Sequence, residues 1–102
     1  MVQINKVEIQ GYIGNVRENK INDSYVYDFS VATNRAFGEF IEVMWHAVKM
    51  WSDKQRPDLE KGKPVHVTGY LRQDKYVGSD GINRTIYYIQ AKPENVKIVT
   101  NS

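Results

Sequence analysis

Residues 24–34 read SYVYDFSVATN. Tyr25, Tyr27, Phe29 and Val31 fall on odd positions, with Asp28 and Ser30 between them. Side chains alternate between the two sides of an extended chain. This spacing therefore predicts a half-buried strand with an aromatic and β-branched face turned to a core.

The same period of two runs outward in both directions. In PVHVTGYLR, residues 64–72, Val65, Val67 and Leu71 share one face, and His66, Thr68 and Tyr70 the other. TIYYIQA (residues 85–91) and residues 95–100 read as further extended segments. KVEIQGYIGNV, residues 6–16, alternates too, interrupted by Gly11 and Gly14. Glycine inside a strand marks a bulge or sharp bend, as where one strand serves two sides of a small barrel. One short helix is expected over residues 52–60, SDKQRPDLE, with Ser52 as its cap and Pro57 limiting its length. In VGSDGIN, residues 77–83, Asp80-Gly81 is a hairpin turn signal.

The predicted order is three strands, a short helix, then two strands joined by an extended β-hairpin loop. That is an all-β, five-stranded, partly open barrel with its helix between strands 3 and 4, the oligonucleotide/oligosaccharide-binding (OB) fold. An SH3-like barrel has no obvious place for such a helix.

The 102 residues, 41% hydrophobic and 25% charged, suit one globular domain spanning 1–102. Without cysteine there is no disulfide framework, thiol nucleophile or cysteine-based zinc site. No apolar run suggests a signal peptide or a membrane span, and a cytoplasmic location is expected. The net charge of +2 pulls only weakly towards polyanions.

His46 and His66, the only histidines, stand in strands and in no metal-ligand spacing. A histidine hydrogen-bonded in a core or a subunit interface is the better reading than a general base. There is no nucleophile elbow and no Walker-type phosphate loop, so neither an enzyme nor a cofactor or metal is expected.

The twelve aromatics say more. In EVMWHAVKMW, residues 42–51, a strand would place Val43, Trp45 and Ala47 on one face, and Met44, His46 and Val48 on the other. Both faces carry apolar groups, so one lines the core and the other meets a ligand or partner. Trp51 follows, with Lys49 and Lys54 nearby; Phe37 lies beside Arg35, and Tyr76 follows Lys75. Aromatics interleaved with cations suit single-stranded nucleic acid, where rings stack on bases and cations follow phosphates. Tyr25, Tyr27 and Phe29 fit the core.

INKVEIQGYIGNV, YDFSVATNR, EVMWHAVKMW and LEKGKPVHVTGYLRQDKY occur in this order. Together they resemble the bacterial-type single-stranded DNA-binding proteins, over residues 5 to about 99. The resemblance implies an OB-fold that binds and protects single-stranded DNA without sequence preference in replication, recombination and repair, usually as a homotetramer. It implies base stacking by Phe37, Trp45, Trp51 and Tyr76. Phosphate contacts are expected from Lys61, Arg72, Lys75 and Arg84, with Arg35, Lys49 and Lys54 beside the aromatics. His46 matches a histidine that the family places at a subunit interface. The family's acidic, partner-recruiting tail has no counterpart in the sequence, which leaves replication and repair proteins unassigned as partners. A dimeric primosomal OB-fold accessory protein and a protein-interaction OB module are the alternatives.

Overall fold

The computed structural model describes residues 2–100, and five strands take up most of them. They are β1 (Val7–Ile21), β2 (Ser24–Phe37), β3 (Phe40–Ser52), β4 (Pro64–Val77) and β5 (Asn83–Ile98). They close into a barrel in the order β1-β2-β3-β5-β4, the OB topology expected from the sequence, shut rather than partly open. All neighbours are antiparallel except β3 and β5, which pair in parallel.

Alternation builds the core as the sequence suggests. Tyr27, Phe29 and Val31 of β2 are buried against Ile13, Val48, Met50, Val65 and Val67. Leu71, expected beside Val65 and Val67, is instead 48% exposed. A register shift between Val67 and Gly69 separates it from them, and β4 is there leaving the barrel as one side of a projecting hairpin.

Gly11 lies where β1 changes partners. Residues from Val7 to Tyr12 pair with β4, and those from Tyr12 onward with β2. A Cβ on Gly11 would collide with the Ala32 carbonyl, so the turn from one neighbour to the other needs glycine. The register then shifts between Ile13 and Val16, a bulge at the position that Gly14 marks in the sequence.

The expected helix over 52–60 does not form: Ser52 ends β3, and residues 53–60 are bends, one turn and irregular chain. The Ser52 hydroxyl, instead of capping a helix, accepts from the Lys54 N–H (3.1 Å) and donates to the Lys54 carbonyl (2.7 Å). The Arg56 N–H donates to the Tyr27 hydroxyl (2.7 Å), outside any helical ladder. The Arg56 guanidinium holds both Asp58 oxygens (2.9 Å) and the carbonyls of Pro93 (3.0 Å) and Val96 (2.7 Å). Pro93 and Val96 lie in β5, so tertiary bonds overrule a local propensity already weakened by Pro57. Leu59, 5% exposed, enters the core from this loop.

Two hairpins project from the barrel. β2 and β3 stay paired out to Phe37 and Phe40, where Gly38 adopts a left-handed φ of 59° in a two-residue turn. β4 and β5 stay paired out to Val77 and Asn83. β3 and β5 pair only where Val48–Met50 meets Ile89–Ala91, so the two arms are unpaired with each other above those rungs.

Candidate nucleic-acid interface

The β2–β3 register sorts the side chains. Tyr27, Phe29 and Val31 face inward opposite Met50, Val48 and His46. The outward row is therefore Asp28, Ser30 and Ala32, opposite Lys49, Ala47 and Trp45, and it continues to Val26, itself covered (4% exposed), opposite Trp51. Both tryptophans stand on this outer face, Trp45 62% and Trp51 46% exposed. Six residues separate them, about 20 Å along an extended strand. Beside Trp45 the small side chains of Ser30 and Ala47 leave an open groove of about 770 Å³, lined also by Arg17, Asp28, Lys49 and Tyr88, with Trp51 outside it past Lys49.

Trp45 lies across the neighbouring strands. A Cβ on Gly14 would meet its ring and the Ser30 hydroxyl, so glycine leaves the room that the indole occupies. Lys49 stretches over the groove, 3.8 Å from the Asp28 carboxylate and 5.2 Å from the centre of the Tyr88 ring.

The β4–β5 arm continues this face. Arg72 is paired with Tyr88, and Tyr76 with Arg84. Arg72 donates to Asp74 (3.3 Å) and to Gln90 (3.0 Å), and the Tyr88 hydroxyl donates to Asp74 (2.7 Å). That hydroxyl, and then the Arg72 guanidinium, hold the Asp74 carboxyl below the usual carboxylate range. Burial, and then the bond to Asp74, push the Tyr88 phenol up. At the arm's tip Arg84 donates to Asp80 (2.6 Å). The Ile82 N–H, and then Arg84, keep the Asp80 carboxyl low.

Strand register thus sets Trp45, Lys49, Trp51, Arg72, Tyr76 and Arg84 on one outer face. Trp51, expected just past the strand end, lies within β3. The other expected residues stand apart. Arg35 and Phe37 fall on the opposite side of their arm, in the row of Val31 and His46, and the Phe37 ring sits 5.9 Å from that of Phe40. Lys75 alternates away from Tyr76 along β4, although it lines a smaller cavity of the β4–β5 arm together with Tyr76 and Arg84, and Lys54 and Lys61 are exposed in the β3–β4 loop. His46 is half-buried, its Nε2 2.8 Å from the Thr33 hydroxyl. Among the described residues no group of three or more histidine or carboxylate side chains is placed to hold a metal.

Arg17, Asp28 and Tyr88 line the groove, and none of them stands out in the sequence. Tyr87-Tyr88 presents a tyrosine to each side of its strand, so alternation cannot say which faces outward. The location of Arg17 depends on a bulge whose direction the sequence does not fix.

Residues 4–99 match the model of the single-strand binding protein family. The chain belongs to this family. Two curated relatives, each called single-stranded DNA-binding protein, come from Neisseria meningitidis serogroup A and serogroup B. Each is 34% identical to the chain over 100 residues, an alignment covering 88% of the chain and 58% of the relative. The chain therefore spans rather more than half the length of these family members. Among solved structures, the Plasmodium falciparum SSB in complex with ssDNA shares the fold, with a TM-score of 0.78 at 22% identity over 97% of this chain and 96% of that one.

Proposed function

We propose that this protein binds single-stranded DNA without reading its sequence. Bases stack on Trp45 and Trp51 and, along the β4–β5 arm, on Tyr76, while Lys49, Arg72 and Arg84 meet phosphates on the same face. The observation that carries this reading is the pair of half-exposed tryptophans on one face of β3, with a lysine between them and small residues beneath. Exposed indoles are costly to leave in water, and each offers a flat surface worth about 1–3 kcal/mol per stacked base. Phe37 and Arg35 then meet DNA from the far side of the β2–β3 arm. Lys75 does so from the far side of the β4–β5 arm, and Lys54 and Lys61 from the β3–β4 loop.

The protein acts by binding rather than by catalysis. It works in DNA replication, recombination and repair as a homotetramer, with His46 near a subunit contact. Among the described residues no helix is long and apolar enough to cross a membrane, in keeping with a cytoplasmic setting.

Tryptophan fluorescence followed during titration with oligo(dT), at low and high salt, tests the reading. Strong quenching and binding that weakens as salt rises are expected, because cations that meet phosphates release counterions. Unchanged fluorescence without binding would sink it. Light scattering on the free protein separates the tetramer from the dimer.

A further inference from the structure

A row of side chains crosses the groove from strand to strand. Register sets Arg17 of β1 opposite Asp28 of β2, Asp28 opposite Lys49 of β3, and Lys49 level with Gln90 of β5. Arg72 of β4 reaches the Gln90 side chain (3.0 Å). Asp28 is the one acid in this row, and among the described residues it is the only carboxylate lining the groove. A negative charge in the bed of a groove that takes a polyanion opposes its ligand.

Structural need does not account for it. The other aspartates on this face are each held by two hydrogen bonds, one of them short: Asp74 by Tyr88 (2.7 Å) and Arg72, and Asp80 by Arg84 (2.6 Å) and the Ile82 N–H. The Asp28 carboxylate makes no such bond among the described residues. Its ion-pair partner is Lys49, at 3.8 Å, with the two side chains 44% and 33% exposed. A pair so long and so open adds little to stability. What it does is neutralise the ammonium that stands between the two tryptophans.

We propose that Asp28 competes with the DNA phosphodiester for Lys49, and so limits how tightly and how salt-dependently the groove holds a strand. The proposal rests on the single-strand-binding reading. In the free protein the carboxylate holds the ammonium. A phosphate arriving between Trp45 and Trp51 takes the carboxylate's place at Lys49. Asp28 thus does beforehand what a counterion would do, and contact with Lys49 releases less salt than contact with a free lysine.

The test is a double-mutant cycle read by fluorescence anisotropy over a series of salt concentrations. Labelled oligo(dT) and oligo(dC) are bound to the wild type, Asp28→Asn, Lys49→Gln and the double variant, with Asp28→Ser as a second removal of the charge. Asp28→Asn and Asp28→Ser should bind both oligonucleotides about two- to fivefold more tightly at low salt, the scale of an exposed ion pair. The slope of log affinity against log salt should steepen by about 0.7, one phosphate contact on a single strand. Both gains should vanish when Lys49 is already glutamine. Unchanged or weaker binding by both Asp28 variants would overturn the proposal, as would a gain that survives Lys49→Gln. A loss confined to oligo(dC) would also overturn it, making Asp28 a reader of base amino groups. If the wild type itself binds neither oligonucleotide, the single-strand reading fails and takes the proposal with it, which is a separate result from tight wild-type binding that Asp28→Asn leaves unchanged.

Discussion

A Cβ on Gly14 collides with an indole, and one on Gly11 collides with a backbone carbonyl. The two glycines differ in what can give way. Gly14→Ala is expected to swing the Trp45 ring off its seat while the barrel stays folded, because a surface side chain can rotate. The tryptophan emission of the free protein should then shift, and oligo(dT) binding should weaken by less than Trp45→Ala weakens it. The latter should cost about 1–3 kcal/mol of binding and leave the fold intact, since a ring 62% exposed contributes little to the core. Circular dichroism alongside the titration checks this; an unfolded Trp45→Ala protein would place the indole in the core. Gly11→Ala should instead cost about 1–3 kcal/mol of stability, because a strand must move to admit it. Urea denaturation of the two alanine variants separates these outcomes.

At the scale of the element, the β3–β4 loop shows where sequence reading stops. Arg56 binds Asp58 nearby and two carbonyls far along the chain in β5, and these bonds fix the loop around buried Leu59. No local pattern announces such a contact, so SDKQRPDLE reads as a helix until the fold is known. The strands were legible because alternation is local: Tyr27, Phe29 and Val31 point inward as their spacing says. Trp45 and His46 likewise lie on opposite faces, as expected. The arms were only half legible. Both faces of a projecting hairpin meet solvent, so nothing in the composition of NRAFGEF reveals that Phe37 turns away from Trp45. Replacing Arg56 by glutamine should destabilise the protein by about 2–3 kcal/mol, the worth of a charged hydrogen-bonding group removed from partners that stay behind. A chemical-denaturation midpoint unchanged by that replacement would mean that the loop is held by Leu59 alone.

At the scale of the whole molecule, the same contact shapes the response to acid. The Arg56 hydrogen bonds hold the Asp58 carboxyl below its ordinary range, against the upward push of partial burial. A carboxyl with a depressed pKa in the folded state adds stability that is fully present above its unfolded value of about 4, and is lost as pH falls through the folded value. Asp74 and Asp80 carry shifts of the same sign. Unfolding free energy should therefore hold steady near neutrality and fall below about pH 4, less steeply in Arg56→Gln. Tyr27 acts at the other extreme, where burial pushes its phenol up. Its contribution is complete below the ordinary value of about 10 and is lost as pH rises through the folded one. Denaturation curves across the pH range check both limbs.

The barrel order also governs how the chain comes together during synthesis. β5 is made last, yet it lies between β3 and β4 and supplies Ile89, Ala91 and Val96 to the interior. A ribosome that has released only β1, β2 and β3 has produced a meander with Phe29, Val48 and Met50 on an uncovered side. Leu59 and β4, with Val65 and Val67, cover part of that side, and β5 completes it. Until β5 emerges the nascent barrel is thus open and exposed to aggregation. Closure then waits on β1 meeting β4 and β3 meeting β5, pairings between distant parts of the sequence that belong to the slow, millisecond-to-second class of small β proteins.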